Sequence, residues 1–258
     1  MRRLLAPLFF LLFLVACATS PTGRNQLQLF SEDKIAAMGV QSYAQMKKDE
    51  PIDTGTADNT YVKCVANAIT NVTGGEWEVT VFKDDQVNAF ALPGGKIGVY
   101  SGLLDVADTD DQLSAVIGHE VGHVLAHHGN ERVSQQYATQ GGLSVVSAFL
   151  SGGGGGIGSQ ALMSALGLGA QVGILLPFSR TQESEADTIG LELMARAGFD
   201  PRQSVTLWQN MAAASGGKEP AEFMSTHPSD NTRINNLQNH MAKAMELYEQ
   251  APSHPQCG

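Results

Sequence analysis

The stretch DDQLSAVIGHEVGHVLAHH, residues 110–128, constrains this chain more than any other. It reads as one helix, with Asp108 or Thr109 as its cap and Asp110 and Asp111 near its positive end. At about 100° per residue, Leu113, Ile117, Val121, Val124 and His128 form one stripe, and His119 and His123 lie together on the opposite side. The histidine side also carries Ala115, Gly118, Gly122 and Ala126, all small. An interior glycine costs a helix about 1 kcal/mol against alanine, so this face implies close approach by another backbone or a bound molecule. Two histidines at i and i+4 present their rings one turn apart, able to grip one Zn²⁺, with Glu120 beside them to take a proton from water.

A catalytic zinc needs a third protein donor. The metzincin pattern would place glycine at 126 and histidine at 129, where this chain has Ala126 and Gly129; the aminopeptidase and thermolysin spacings fall on Gly142 and Leu143. No Asp or Glu occurs from Arg132 to Gln182, and Glu131, two turns along the same predicted helix, cannot curl back. The first acid able to return is Glu183, in SRTQESEADTIGLELMARAGFDP, a helical pattern ended by Gly198. Asp187 lies one turn beyond, where its carboxylate can hold the free ring nitrogen of a zinc-bound histidine; Glu185 faces another side. The alternative reading of ESEAD, a solvated acidic helix face, leaves the metal a ligand short. His127, His128, His240 and His254 offer no ligand spacing and read as structural.

Elsewhere, SEDKIAAMGVQSYAQMKKDE predicts a helix capped by Ser31 and ended by Pro51, and residues 60–72 a second. WEVTVF, Trp77 to Phe82, is rich in β-formers, and VNAFALPGGKIGVYSGLL predicts two more strands around Pro93-Gly94-Gly95, making a small sheet of three. The fold class is therefore α+β and mainly helical, a single domain over residues 29–250 with the small sheet beside the HExxH helix and a tail at 251–258.

MRRLLAPLFFLLFLVACATS at the start reads as an export signal, its apolar run, broken by Pro7, being shorter than the roughly 20 residues of a spanning helix. Leu14-Val15-Ala16-Cys17 resembles the lipobox of bacterial lipoproteins. That implies a signal peptide over 1–16, a lipidated Cys17 tying the chain to membrane, and a linker over 17–28; Ala18 in place of aspartate points to the periplasmic face of the outer membrane. Without residues 1–16, 14 basic residues stand against 26 acidic ones, a net charge of −12 that argues against nucleic acid as a partner. Cys64 and Cys257 have no CxxC spacing and are expected to be joined in an oxidising compartment, two free thiols being the alternative. From Val133 to Ser179 there is no charged side chain. This interval reads as a glycine-rich apolar insertion, 141–178, two helices around a mobile glycine loop beside the cleft, rather than a spanning hairpin, its apolar segments being short or interrupted. SGGGGGIGS lacks the lysine and hydroxyl residue of a phosphate loop.

HEVGHVLAHH, SRTQESEAD, ARAGFDP, THPSDNTR and VNAFALPGGKIGVYSGLL together resemble the gluzincin metalloprotease family of HtpX-type proteases, CAAX prenyl endopeptidases and Oma-type proteases, in layout its periplasmic lipoprotein members above all. The resemblance, over Leu29 to Tyr248, implies one Zn²⁺ held by His119, His123 and Glu183, Glu120 as general base and acid, and Asp187 as hydrogen-bond partner of a ligand. It further implies that His227 stabilises the oxyanion near the metal and that Arg233 sits near the carboxylates. Asn88, Ala89, Phe90 and Ala91 would form an edge to which an extended peptide adds as a strand, a plain structural hairpin being the alternative. The implied activity is hydrolysis of peptide bonds in misfolded or unassembled envelope proteins, with protein or peptide substrates and the outer-membrane assembly machinery as partners. The competing class is a zinc-containing assembly factor or chaperone with little proteolysis. Glu120 speaks against it, since a structural zinc needs a fourth ligand and no base.

Overall fold

The computed structural model describes residues 17–139, 178–214, 227 and 231–258; the expected signal peptide and all of the glycine-rich insertion except Phe178 lie outside them. Seven α-helices are present among the described residues: α1 (Glu32–Asp49), α2 (Thr56–Thr73), α3 (Asp110–Leu125), α4 (His128–Thr139), α5 (Arg180–Arg196), α6 (Gln203–Ala214) and α7 (Asn231–Glu249). They accompany strands β1 (Cys17–Thr19), β2 (Asn25–Leu27), β3 (Glu78–Phe82), β4 (Ala89–Leu92) and β5 (Lys96–Tyr100), the mainly helical α+β class expected. None of these helices is long and apolar enough to cross a membrane.

Alternation along the strands decides how the sheet packs. Its order is β3-β5-β4, with β5 parallel to β3 and antiparallel to β4. Ala89, Ala91, Ile97 and Val99 face one way and join Val62, Val65 and Ile69 of α2 and Val116 and Ile117 of α3 in the larger core. Phe82, Phe90, Leu92 and Tyr100 face the other way, onto Ile35, Met38, Tyr43 and Met46 of α1. The sheet is thus covered on both sides, and β4 is an edge strand beside α3.

Thr109, not Asp108, caps α3, its Oγ1 accepting the Gln112 N–H at 3.2 Å. The helix ends sooner than its periodicity predicts. Ala126 closes it, His127 takes a positive φ of 55°, and α4 starts afresh at His128. Glu131 is therefore on a different helix from the motif, and it turns to Arg24 and Gln182. The expected opposition of a core face and a histidine face also fails: Gln112 to His123 are buried without a break, because α5 covers the histidine side.

The interior glycines are explained by that cover. A methyl group on Gly118 would stand 2.9 Å from the Gly190 carbonyl oxygen, one on Gly122 2.9 Å from that of Ala186, and one on Gly190 2.7 Å from the His119 nitrogen. Backbone, not substrate, is what comes near. Gly190→Ala should accordingly lower stability by about 1–3 kcal/mol through overpacking, despite alanine's better helix propensity. A thermal midpoint equal to or above wild type would show that the close approach is not what the glycine serves.

Residues 17–28, expected as a linker, are built into the domain. β1 and β2 form an antiparallel hairpin, Gln26 Nε2 donates to the Ala126 carbonyl at 2.6 Å, and the Leu29 N–H donates to Ser134 Oγ at 2.9 Å. The last residues are tied down as well. Cys257 is disulfide-bonded to Cys64 of α2, its N–H donates to Asp110 Oδ2 at 2.6 Å, and His254 Nδ1 lies 3.0 Å from the Gly198 carbonyl. A bridge with a sequence separation of 193 restricts the unfolded chain strongly, an effect of a few kcal/mol.

Candidate metal centre

Four donor residues converge where α3 meets α5. His119 Nε2 and His123 Nε2 stand 3.0 Å apart, and His227 Nδ1 lies 3.2 Å from His119 Nε2 and 3.0 Å from Glu183 Oε1. The Glu183 oxygens are 3.6 Å and 3.4 Å from the two α3 nitrogens. A tetrahedron with zinc bonds of about 2.0–2.1 Å has edges of about 3.3 Å. The five separations scatter around that value, so the donors fit one zinc ion, the cofactor expected, and they are the one such group among the described residues.

Electrostatics agree. Burial, reinforced by the Arg233 charge at His119, holds both α3 histidines well below their usual range, in the neutral form that ligates. Burial alone would raise Glu183, yet His227 and Arg233 hold it well below the ordinary carboxylate range and so ionised.

Each α3 imidazole has its second nitrogen held. His119 Nδ1 is 2.9 Å from Asp187 Oδ1, one turn along α5 from Glu183. Arg233 of α7 donates to Asp187 Oδ1 at 2.6 Å and to Glu183 Oε2 at 2.8 Å, its guanidinium 3.4 Å from the centre of the Trp208 ring. His123 Nδ1 is 2.8 Å from His128 Nδ1, and His128 Nε2 is 3.1 Å from Glu185 Oε2. Neither His128 nor Glu185 is singled out by spacing. The helix break at His127 brings the first back towards the motif, and its one trace in the sequence is the His127-His128 doublet. Phe178 lies against the same rings, its centroid 3.9 Å from that of His123 and 5.0 Å from that of His227.

Glu120 stands apart from the four donors. Its carboxylate accepts the Ala91 N–H of β4, while Oε1 has no hydrogen-bond partner and lies 3.5 Å from His227 Nε2. Burial pushes its pKa up to about 7, where a carboxyl group exchanges protons readily near neutrality. Asp187 is raised by burial to about 6, with Arg233 opposing the rise.

The edge strand reaches the same place. The Tyr100 N–H donates to the Asn88 carbonyl at 3.0 Å, so with the register Ala89↔Val99 and Ala91↔Ile97, Asn88 and Phe90 turn their backbone groups inward to β5. Ala89 and Ala91 turn theirs outward, beside Glu120. Of the four residues expected to meet a peptide, Asn88 and Phe90 are thus directed away from it, and the Phe90 ring packs over Gly98. His227, expected as an oxyanion stabiliser, stands in this geometry as a fourth donor. Of THPSDNTR, residues 226 and 228–230 lie outside the described residues.

The chain is similar to known proteins over most of its length. It is 36% identical to mitochondrial metalloendopeptidase OMA1 of Schizosaccharomyces pombe over 225 residues, 85% of this chain and 64% of that protein. It is 30% identical to metalloprotease LoiP of Escherichia coli over 225 residues, 86% of each chain. To the beta-barrel assembly-enhancing protease of Yersinia pestis it is 29% identical over 215 residues, 81% of this chain and 44% of that one. The chain therefore spans about half the length of several relatives, 51% of the Saccharomyces cerevisiae OMA1 for example. A family model described as Peptidase family M48 matches residues 56–241, from the start of α2 into α7. Because that interval contains Glu120, all four donors and Arg233, the chain belongs to peptidase family M48.

Proposed function

We propose that this chain is a zinc metalloendopeptidase that cleaves extended segments of misfolded or unassembled envelope proteins, held by a lipid at Cys17 to the periplasmic face of the outer membrane. The observation that carries the activity is Glu120: a buried carboxylate with one oxygen unpartnered, beside a four-donor cage and an open strand edge. Zinc in that cage supplies Lewis acidity, polarising a carbonyl and acidifying water. Glu120 accepts the proton of the attacking water at Oε1 and passes it to the amine that leaves. Asp187 and His128 keep the Nδ1 protons of His119 and His123 in place, which leaves each Nε2 lone pair for the metal. The outward groups of Ala89 and the outward carbonyl of Ala91 align the peptide by main-chain pairing, so sequence preference is broad. The names of the relatives, two bacterial proteases among them and one called assembly-enhancing, support the envelope role, with the outer-membrane assembly machinery as partner; the mitochondrial relatives support the chemistry alone.

A catalytic zinc keeps a position open, and of the four donors His227 alone lies outside the helices. It is the one to give way to substrate. Purified protein should contain one zinc per chain and digest an unfolded test protein, with digestion lost on chelation. His227→Ala should keep the zinc on three donors and cut faster. Zinc-loaded protein that retains unfolded chains without cutting them would favour the assembly-factor reading instead.

A further inference from the structure

The N-terminal hairpin reaches the metal centre through side chains. At its turn, Thr22 Oγ1 donates to Glu185 Oε1 at 2.5 Å and Arg24 Nε to Glu185 Oε2 at 2.9 Å. The other two nitrogens of Arg24 grip Glu131, Nη1 to Oε1 at 2.6 Å and Nη2 to Oε2 at 2.7 Å. Glu185, Glu131 and His128 are buried, while Arg24 keeps 24% of its side chain exposed at the outer end of the row.

We propose that Arg24 is a positioning residue of the metal centre, acting through Glu185 and His128 on His123, so that the hairpin is a working part of the active site. The proposal rests on the reading of His123 as a zinc ligand. Hydrogen-bond direction makes the row consistent. With Nε2 of His123 facing the other donors, its Nδ1 carries the proton and donates to His128 Nδ1. His128 is then protonated on Nε2, which donates to Glu185. Glu185 must therefore be an ionised acceptor, oriented from its other side. On that other side Thr22 donates to its Oε1 and Arg24 to its Oε2. Only a planar fork spans both carboxylates as Arg24 does; a lysine ammonium is a point charge on a flexible stem.

Zinc affinity by chelator competition, and the visible spectrum of the cobalt-substituted protein, test this in the full chain. Arg24→Ala and Glu185→Gln should each weaken zinc binding about 10–100-fold and shift the cobalt bands, the range for partners of a ligating histidine. The double variant should be no weaker than Glu185→Gln alone. Thr22→Val, which removes one donor and leaves the hairpin's backbone untouched, should weaken zinc by a smaller factor and secures the test if Arg24→Ala does not fold. Unchanged zinc affinity and cobalt spectrum in folded Arg24→Ala and Thr22→Val would overturn the proposal. A His123→Ala chain that binds zinc like wild type would instead overturn the reading beneath it.

Discussion

Glu120→Gln should bind one zinc per chain, melt at the wild-type temperature and hydrolyse an unfolded protein about 10²–10⁴-fold more slowly. Glutamine keeps the volume of the side chain, and its carbonyl can still accept the Ala91 N–H. What it loses is the capacity of Oε1 to take up a proton, while His119 and His123 are turned to the other donors and Asp187 is held by Arg233. Metal content, melting and turnover measured on one preparation decide the matter. Undiminished cleavage would remove Glu120 from the reaction.

Glu183→Ala should lose zinc and activity together. The variant deletes the only carboxylate among the four donors and leaves Arg233, buried, with one acid fewer to face, so the melting temperature should fall as well. Asp187→Asn makes the contrast. It keeps all four donors and alters the acceptor shared by His119 Nδ1 and Arg233, and should retain zinc with an affinity about 10–100-fold weaker. Dialysis against a weak chelator followed by metal analysis separates the two. If Glu183→Ala held zinc as tightly as wild type, the third ligand would lie elsewhere.

What could be read in the sequence was local. The spacing of His119, Glu120 and His123, the first acid able to return and the carboxylate one turn beyond it all depend on helical periodicity, and these residues lie together in the fold. The alternation of the three strands is equally local, and the sheet has the predicted hairpin. Failures came where a single backbone torsion or a distant segment decides. A positive φ at His127 has no compositional signature, since the residue is not glycine, and it moved His128 and Glu131 off the motif helix. Glu185 carries no such local mark, because its partners, Arg24 and His128, are far from it in sequence. The uninterrupted burial of α3 follows from α5 packing against glycines, a tertiary contact that a helical wheel does not contain.

The pairing of Cys17 with Leu27 bears on where such an enzyme could work. A free stretch of twelve residues would let a tethered domain roam about 40 Å from its anchor. Here the slack is gone, because the strand that begins at Cys17 is already stitched into the body of the molecule. With the lipid proposed for that residue, the body of the molecule would be held against its anchor point with no tether to stretch.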